Sequence, residues 1–185
     1  MDALFKKTIE EQRDKIIKKW FNQTVDSYPP DTAAFLKRQK DPFANPVGRT
    51  ASRTLSALFD ALTGETDREK LESILDPLIK IRALQNFTPS QAVFFVHGLK
   101  KIIRDLFPDS KKSAVLADLL DFESRIDSVG FIAFDLYMEK REKVYHLKAL
   151  EVRNRTFTVF ERAGLVAEPS PEEFEKFGDD PAAGA

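Results

Sequence analysis

Between Pro108 and Pro169 the chain has no proline, and the only glycine inside the stretch Ser110 to Ala163 is Gly130. Nothing there forces more than one break in a helix. Ile126, Val129, Ala133, Leu136, Tyr137, Val144, Leu147 and Leu150 recur at three- and four-residue steps, as one face of a 3.6-residue helix requires. The stretch predicts a helix-rich segment running to the end of the fold. At about 1.5 Å per residue the part after Gly130 alone spans on the order of 50 Å, more than a compact domain of this size covers, so its far end is expected to project. From Lys148 onward polar residues dominate while Val152, Phe157, Val159 and Phe160 stay apolar. Such a stripe suits a partner helix; a terminal helix folded back on its own core fits the same pattern.

The remainder divides at prolines and glycines into shorter helical pieces. From Leu4 to Val25 the residues Phe5, Ile9, Ile16, Ile17, Trp20, Phe21 and Val25 lie mainly on one side of a first core helix, which Pro29-Pro30 must end. Asp31 and Thr32 can cap a short helix carrying Ala34, Phe35 and Leu36. A distinctive loop follows, in which Pro42 and Pro46 hold Asp41 and Asn45 extended. Asp41, Phe43, Asn45 and Gly48 read as its structural residues, with Asp41 and Asn45 able to bond nearby backbone donors; a ligand-contact role is the alternative.

Ala51, Leu55, Leu58 and Leu62 make the next stripe, over about Arg49 to Thr63, with Gly64 as its stop. Asp67 or Thr66 then opens a helix with the stripe Leu71, Ile74, Leu78 and Ile81, in which Pro77 predicts a kink or a break. Thr88-Pro89 is a strong helix start, and the following Ala92-Val93-Phe94-Phe95-Val96 is apolar nearly all round, as a helix crossing the centre of the fold would be. After Gly164, Ser170-Pro171-Glu172-Glu173 is a capping-box-like start presenting Phe174 and Phe177, set in a tail of proline, alanine, glycine and acidic residues. The expected organisation is one domain over residues 1–165 and a flexible tail over 166–185, with no internal repeat and no strand-like alternation.

Charge and composition remove several function classes. With 29 basic and 30 acidic residues the net charge is -1, so no global field draws nucleic acid or an anionic membrane, and Glu10, Glu11 and Asp14 offset the cluster Lys15, Lys18 and Lys19. The absence of cysteine excludes disulfides, thiolate metal sites and thiol nucleophiles together. The first residues have no apolar core of a leader peptide, and no run approaches the roughly 20 apolar residues of a membrane span, so a cytoplasmic protein is expected.

Catalytic sets are thin. There is no glycine-rich phosphate loop. Glu142 and His146, one helical turn apart, read as a solvated pair rather than metal ligands. The carboxylate pairs Asp118 and Asp121, and Glu172 and Glu173, fall on faces read as exposed or in the tail, where nothing shifts a pKa for acid-base work. His97 is the sharper case, because it lies within Phe94-Phe95-Val96-His97-Gly98-Leu99. One reading has Phe94, Phe95 and His97 line a pocket for haem or an apolar molecule; a core histidine bonded to a neighbour is the preferred reading. No catalytic residue, metal or cofactor is expected.

Four stretches carry a family resemblance: Tyr28-Pro29-Pro30, the loop Asp41 to Gly48, Ile81-Arg82-Ala83-Leu84-Gln85-Asn86-Phe87-Thr88-Pro89-Ser90-Gln91-Ala92-Val93, and Ala133-Phe134-Asp135-Leu136-Tyr137-Met138. In this order, over about Leu4 to Leu165, the chain resembles the N-terminal domain of RsbR-type bacterial signalling proteins, the RsbRD N-terminal family. The resemblance implies an all-α, globin-like helical bundle with a long C-terminal helix, lacking haem and commonly paired as a homodimer, that passes a signal through that helix. In full RsbR-type proteins the helix leads into a STAS domain that engages kinase and phosphatase partners of stress-response complexes. The present sequence stops about twenty residues after the helix, so the expectation is a module acting without that domain. The leading expectation is a non-enzymatic signalling module that dimerises through its last helices, with Tyr137, Val144, Leu147, Leu150 and Phe157 facing the partner. The alternatives are a small-ligand sensor, with haem as one candidate ligand, and an accessory factor of a metabolic or respiratory complex.

Overall fold

A computed structural model describes residues 3–39, 41, 43–107 and 109–164. Gln12, with φ -100° and ψ 7°, interrupts the first amphipathic segment, so the single helix expected from Leu4 to Val25 is two: α1 (Ala3–Glu11) and α2 (Arg13–Val25). Then come α3 (Pro30–Arg38), α4 (Pro46–Thr63), α5 (Arg68–Leu84), α6 (Pro89–Arg104) and α7 (Asp109–Arg162). Among the described residues there is no strand, and the architecture is the all-α, globin-like bundle with a long last helix.

Local chemistry sets the starts and stops. Asn45 caps α4 by accepting from the Gly48 amide at 2.8 Å, while its Nδ2 donates back to the carbonyls of Leu36 and Gln39, so one buried side chain ties α3 to α4. A Cβ at Gly48 would lie 2.4 Å from that side chain, so glycine is needed for the cap to close. Asp41 Oδ1 accepts from the Phe43 amide, and the Phe43 ring stays exposed. Asp67 caps α5, and Thr88 with Gln91 forms a complete capping box on α6. Pro77 sits inside α5, which continues through it to Leu84.

Helix α2 packs between α4 and α6, α5 lies against α4 and α6, and α3 spans α2 and α4. The expected central helix is central: Ala92, Val93, Phe95, Val96, Gly98, Leu99, Ile102 and Ile103 of α6 are all buried. Trp20 of α2 crosses to it, its indole N–H donating to the Phe95 carbonyl at 2.6 Å. Phe5 stacks on Phe107 at 5.3 Å and meets Phe122 of α7 at 5.8 Å, which seats α1 against both. Each such fully buried side chain contributes about 1.5–3 kcal/mol over its exposed state.

Helix α7 runs without a break through Gly130, the one residue expected to allow one. Gly130 is instead a point of close approach: a Cβ there would lie 2.6 Å from the His97 ring of α6. Val115, Leu119, Phe122, Ile126, Val129, Ile132, Ala133 and Tyr137 form the buried face of α7. The chain divides after Val144 into two compact units, residues 1–144 and 145–185. The short helix expected to present Phe174 and Phe177 falls outside the described residues.

Candidate functional site

The most unusual group in the first unit is a cation. Arg82 is fully buried, and no carboxylate pairs with it among the described residues. A buried charge without a counter-ion is tolerated only when dipoles replace the water it has lost. The fold supplies them from two helix ends. Arg82 Nη2 donates to the Thr24 carbonyl at 3.1 Å and to Ser27 Oγ at 3.0 Å, and Nη1 donates to the carbonyls of Gln91 at 3.1 Å and Ala92 at 3.4 Å. Thr24 lies in the last turn of α2, where carbonyls lack helical donors and a positive charge is favoured.

Three aromatic rings complete the cage. The guanidinium carbon stands 4.8 Å from the Phe87 ring centre, 5.2 Å from that of Phe95 and 5.4 Å from that of Tyr28, all within cation–π range. Tyr28 and Phe87 meet each other edge to face at 5.2 Å. Burial holds the Arg82 pKa below its ordinary value, opposed by Tyr28. Burial also pushes the Tyr28 phenol up, against the pull of the Arg82 charge and the Gln85 amide. Tyr28 Oη, Arg82 Nε and Gln85 Oε1 are buried without an aligned hydrogen bond, so the cage is charged and only partly satisfied.

The same region fastens α7. Tyr137 Oη donates to the Phe87 carbonyl at 2.7 Å, and Arg141 Nη1 donates to the carbonyls of Ala83 at 2.8 Å and Gln85 at 3.3 Å. The connection between α5 and α6 is therefore held from inside by Arg82 and from outside by α7. Further along the same helix Arg104 pairs with the buried Glu123, Lys100 with Asp127, and Lys140 with Asp76. The arrangement contains no nucleophile beside a base. It can hold position: movement of the 85–88 connection reaches α2, α6 and α7 at once.

The residues expected to line a ligand pocket are not brought together. Phe94 is exposed on the outer side of α6, Phe95 is in the core with its ring against Arg82, and His97 is half-exposed beside Asp127, 3.4 Å from its carboxylate. Successive residues point about 100° apart around a helix, and here that turns Phe94 to the outside and Phe95 to the core. Of the three, only Phe95 meets the buried guanidinium of Arg82. Tyr137 also moves from the expected partner face to the core, because its hydroxyl reaches Phe87. Val144 and Leu150 are half-buried, while Leu147 and Phe157 are exposed.

Arg82 itself escaped the sequence. The stripe expected on α5 was Leu71, Ile74, Leu78 and Ile81, but the buried residues are Leu71, Leu75, Leu78, Ile79, Arg82 and Ala83. Leu71, Leu75, Leu78 and Arg82 follow steps of four, three and four, so the available signal was an arginine in register with a leucine stripe.

In the second unit, Tyr145, Val152 and Val159 are exposed and spaced seven residues apart, with Ala149 and Thr156 between them. Steps of four, three, four and three are a heptad seam. Leu147 and Phe157 are exposed on another side of the same helix. Among the described residues no group of three or more His, Asp or Glu is placed to hold a metal, and no helix is long and apolar enough to cross a membrane.

Three of the sequence stretches that carry the resemblance, around Tyr28, from Ile81 to Val93, and from Ala133 to Met138, converge on the Arg82 cage and its fastening to α7, and the fourth is the Asn45 cap. No curated protein and no solved structure matches the chain significantly. The family model described as the RsbT co-antagonist protein rsbRD N-terminal domain matches residues 14–152, which take in all four stretches, and the chain belongs to that family.

Proposed function

We propose that this chain is a non-enzymatic signalling module that acts through protein contacts and pairs with a second copy of itself along the helix from Tyr145 to Arg162. Its family is one of signalling-type N-terminal domains, which supports the coarse assignment. The observation that carries the finer one is the exposed heptad seam of Tyr145, Val152 and Val159. Apolar side chains repeating every seven residues leave water when a second helix packs along them. The side with Leu147 and Phe157 is then left for a different protein partner. In this reading the cage around Arg82 holds α7 as far as Arg141 against the first unit, and the chain works without haem, with His97 half-exposed beside Asp127. A cytoplasmic location fits the same reading.

Size-exclusion chromatography with light scattering on the full chain tests the pairing. A dimer is expected at micromolar concentration, and Val152→Glu with Val159→Glu is expected to give a folded monomer. A strict monomer in the parent chain overturns the pairing. An absorption spectrum after expression with added haem is expected to show no Soret band; a stoichiometric band overturns the haem-free reading.

A further inference from the structure

Helices α4 and α5 leave between them a groove of about 490 Å³, a volume in the range of small-molecule sites. Its polar wall comes from α4, where Arg49 and Arg53 stand one turn apart with Thr50 between them. Neither arginine has an ion-pair partner among the described residues. Elsewhere in the same unit Arg13 pairs with Asp60, Arg68 with Glu72 and Asp135, Arg104 with Glu123, and Arg125 with Asp121, while Arg38 is unpaired among the described residues but stands alone rather than beside a second arginine on a groove. Two like charges one turn apart on a helix repel modestly, and an anion held between them relieves that repulsion. No carboxylate lines the groove to meet it.

The opposite wall belongs to α5 and is of another character. Ile74 and Pro77 give it an apolar surface, and Ser73 adds a hydroxyl. Pro77 has no N–H, so the Ser73 carbonyl one turn earlier is left without its helical donor. Across the floor the Thr54 hydroxyl donates to the Ile74 carbonyl at 3.3 Å, which fixes the distance between the walls. A cationic wall facing an apolar one, with hydroxyls between, is complementary to an amphipathic anion.

We infer that the groove between α4 and α5 binds a small organic anion, a phosphate or carboxylate carried on an apolar body, with Arg49 and Arg53 holding the charged end and Ile74 and Pro77 covering the rest. The site is remote in sequence from the pairing helix, and the inference stands whether or not the chain dimerises.

Amide NMR titration of the full chain with phenyl phosphate, benzoate, inorganic phosphate and neutral phenol tests it. At least one of the two aromatic anions is expected to give saturable shifts centred on Arg49, Thr50, Arg53 and Ser73, and whichever is tighter separates a phosphate from a carboxylate ligand. Phenol and inorganic phosphate are each expected to bind about tenfold more weakly, because each keeps only one half of the match. Arg49→Gln with Arg53→Gln is expected to lose about tenfold or more in affinity with the spectrum otherwise retained, since both side chains are exposed. Ser73→Glu, which keeps both arginines and places a carboxylate on the facing wall, is expected to weaken binding comparably. Absence of saturation for both aromatic anions, shifts scattered over unrelated basic residues, or equal affinity in the variants overturns the inference.

Discussion

The hydroxyl of Tyr137 donates to the carbonyl of Phe87 at 2.7 Å, joining the middle of α7 to the connection between α5 and α6 across 50 positions of sequence. Phe87 is also the ring closest to the buried guanidinium of Arg82. One short segment thus touches both the cage and the long helix. Tyr137→Phe keeps the ring and deletes the donor, leaving the carbonyl without that partner. A loss of about 1–2 kcal/mol is expected in urea unfolding. An unchanged midpoint and slope would show that the bond contributes nothing to fastening α7.

Arg82 is bound by geometry as much as by charge. Its two terminal nitrogens reach Thr24, Ser27, Gln91 and Ala92 in different directions, and its flat face meets three rings. A lysine ammonium is a single point with no planar face and cannot span those carbonyls. Arg82→Lys is therefore expected to cost about 3–5 kcal/mol, the range for breaking a buried charged network. Chemical denaturation measures it, and a loss below that of Tyr137→Phe would contradict the central role given to the fork.

Much of this was legible before any coordinates, and the illegible part has a physical reason. Thr88 and Gln91, Asn45 and Gly48, and Asp67 are local devices whose capping bonds span no more than four residues, so their chemistry can be read along the chain. The break at Gln12 has no proline or glycine to announce it. The cage was hidden because its members come from α2, α5, α6 and their connections, and because an arginine in a leucine stripe is passed over in favour of the nearest isoleucine. Phe95 and His97 were correctly seen in an apolar run, but a run cannot show that neighbouring residues point apart. Val152 and Val159 stand out in the sequence as apolar residues of a polar stretch, but Tyr145 does not, so the seven-residue spacing that joins the three emerges only from their shared exposure.

Tyr28 gives the cage a signature in alkaline solution. Burial raises its phenol pKa, so the folded chain keeps a proton that the unfolded chain releases as the pH passes the ordinary tyrosine value. The unfolded state then binds fewer protons, and stability falls with rising pH above about 10. The contribution is fully present below that pH and is lost as the pH rises through the folded value. Tyr28→Phe removes both the titration and a buried hydroxyl without an aligned bond, so it is expected to be close to neutral at pH 7 and to lose stability less steeply above pH 10 than the parent. Parallel alkaline losses in the two proteins would contradict the assignment to Tyr28.

Gly130 and His97 set two known effects against each other. Replacing a glycine inside a helix by alanine gains about 1 kcal/mol from helix propensity. The new Cβ, however, would lie 2.6 Å from His97 Cε1 and Nε2, and the ring must move away from Asp127 to admit it. The ring is half-exposed, so it can turn outward at a cost comparable to the gain, and Gly130→Ala alone is expected to shift stability by less than about 0.5 kcal/mol. In a His97→Ala background the clash is gone, and the same substitution is expected to stabilise by about 1 kcal/mol. A double-mutant cycle by thermal or urea unfolding measures the coupling directly. Equal effects of Gly130→Ala in both backgrounds would show that the close approach of α6 and α7 is not what requires glycine there.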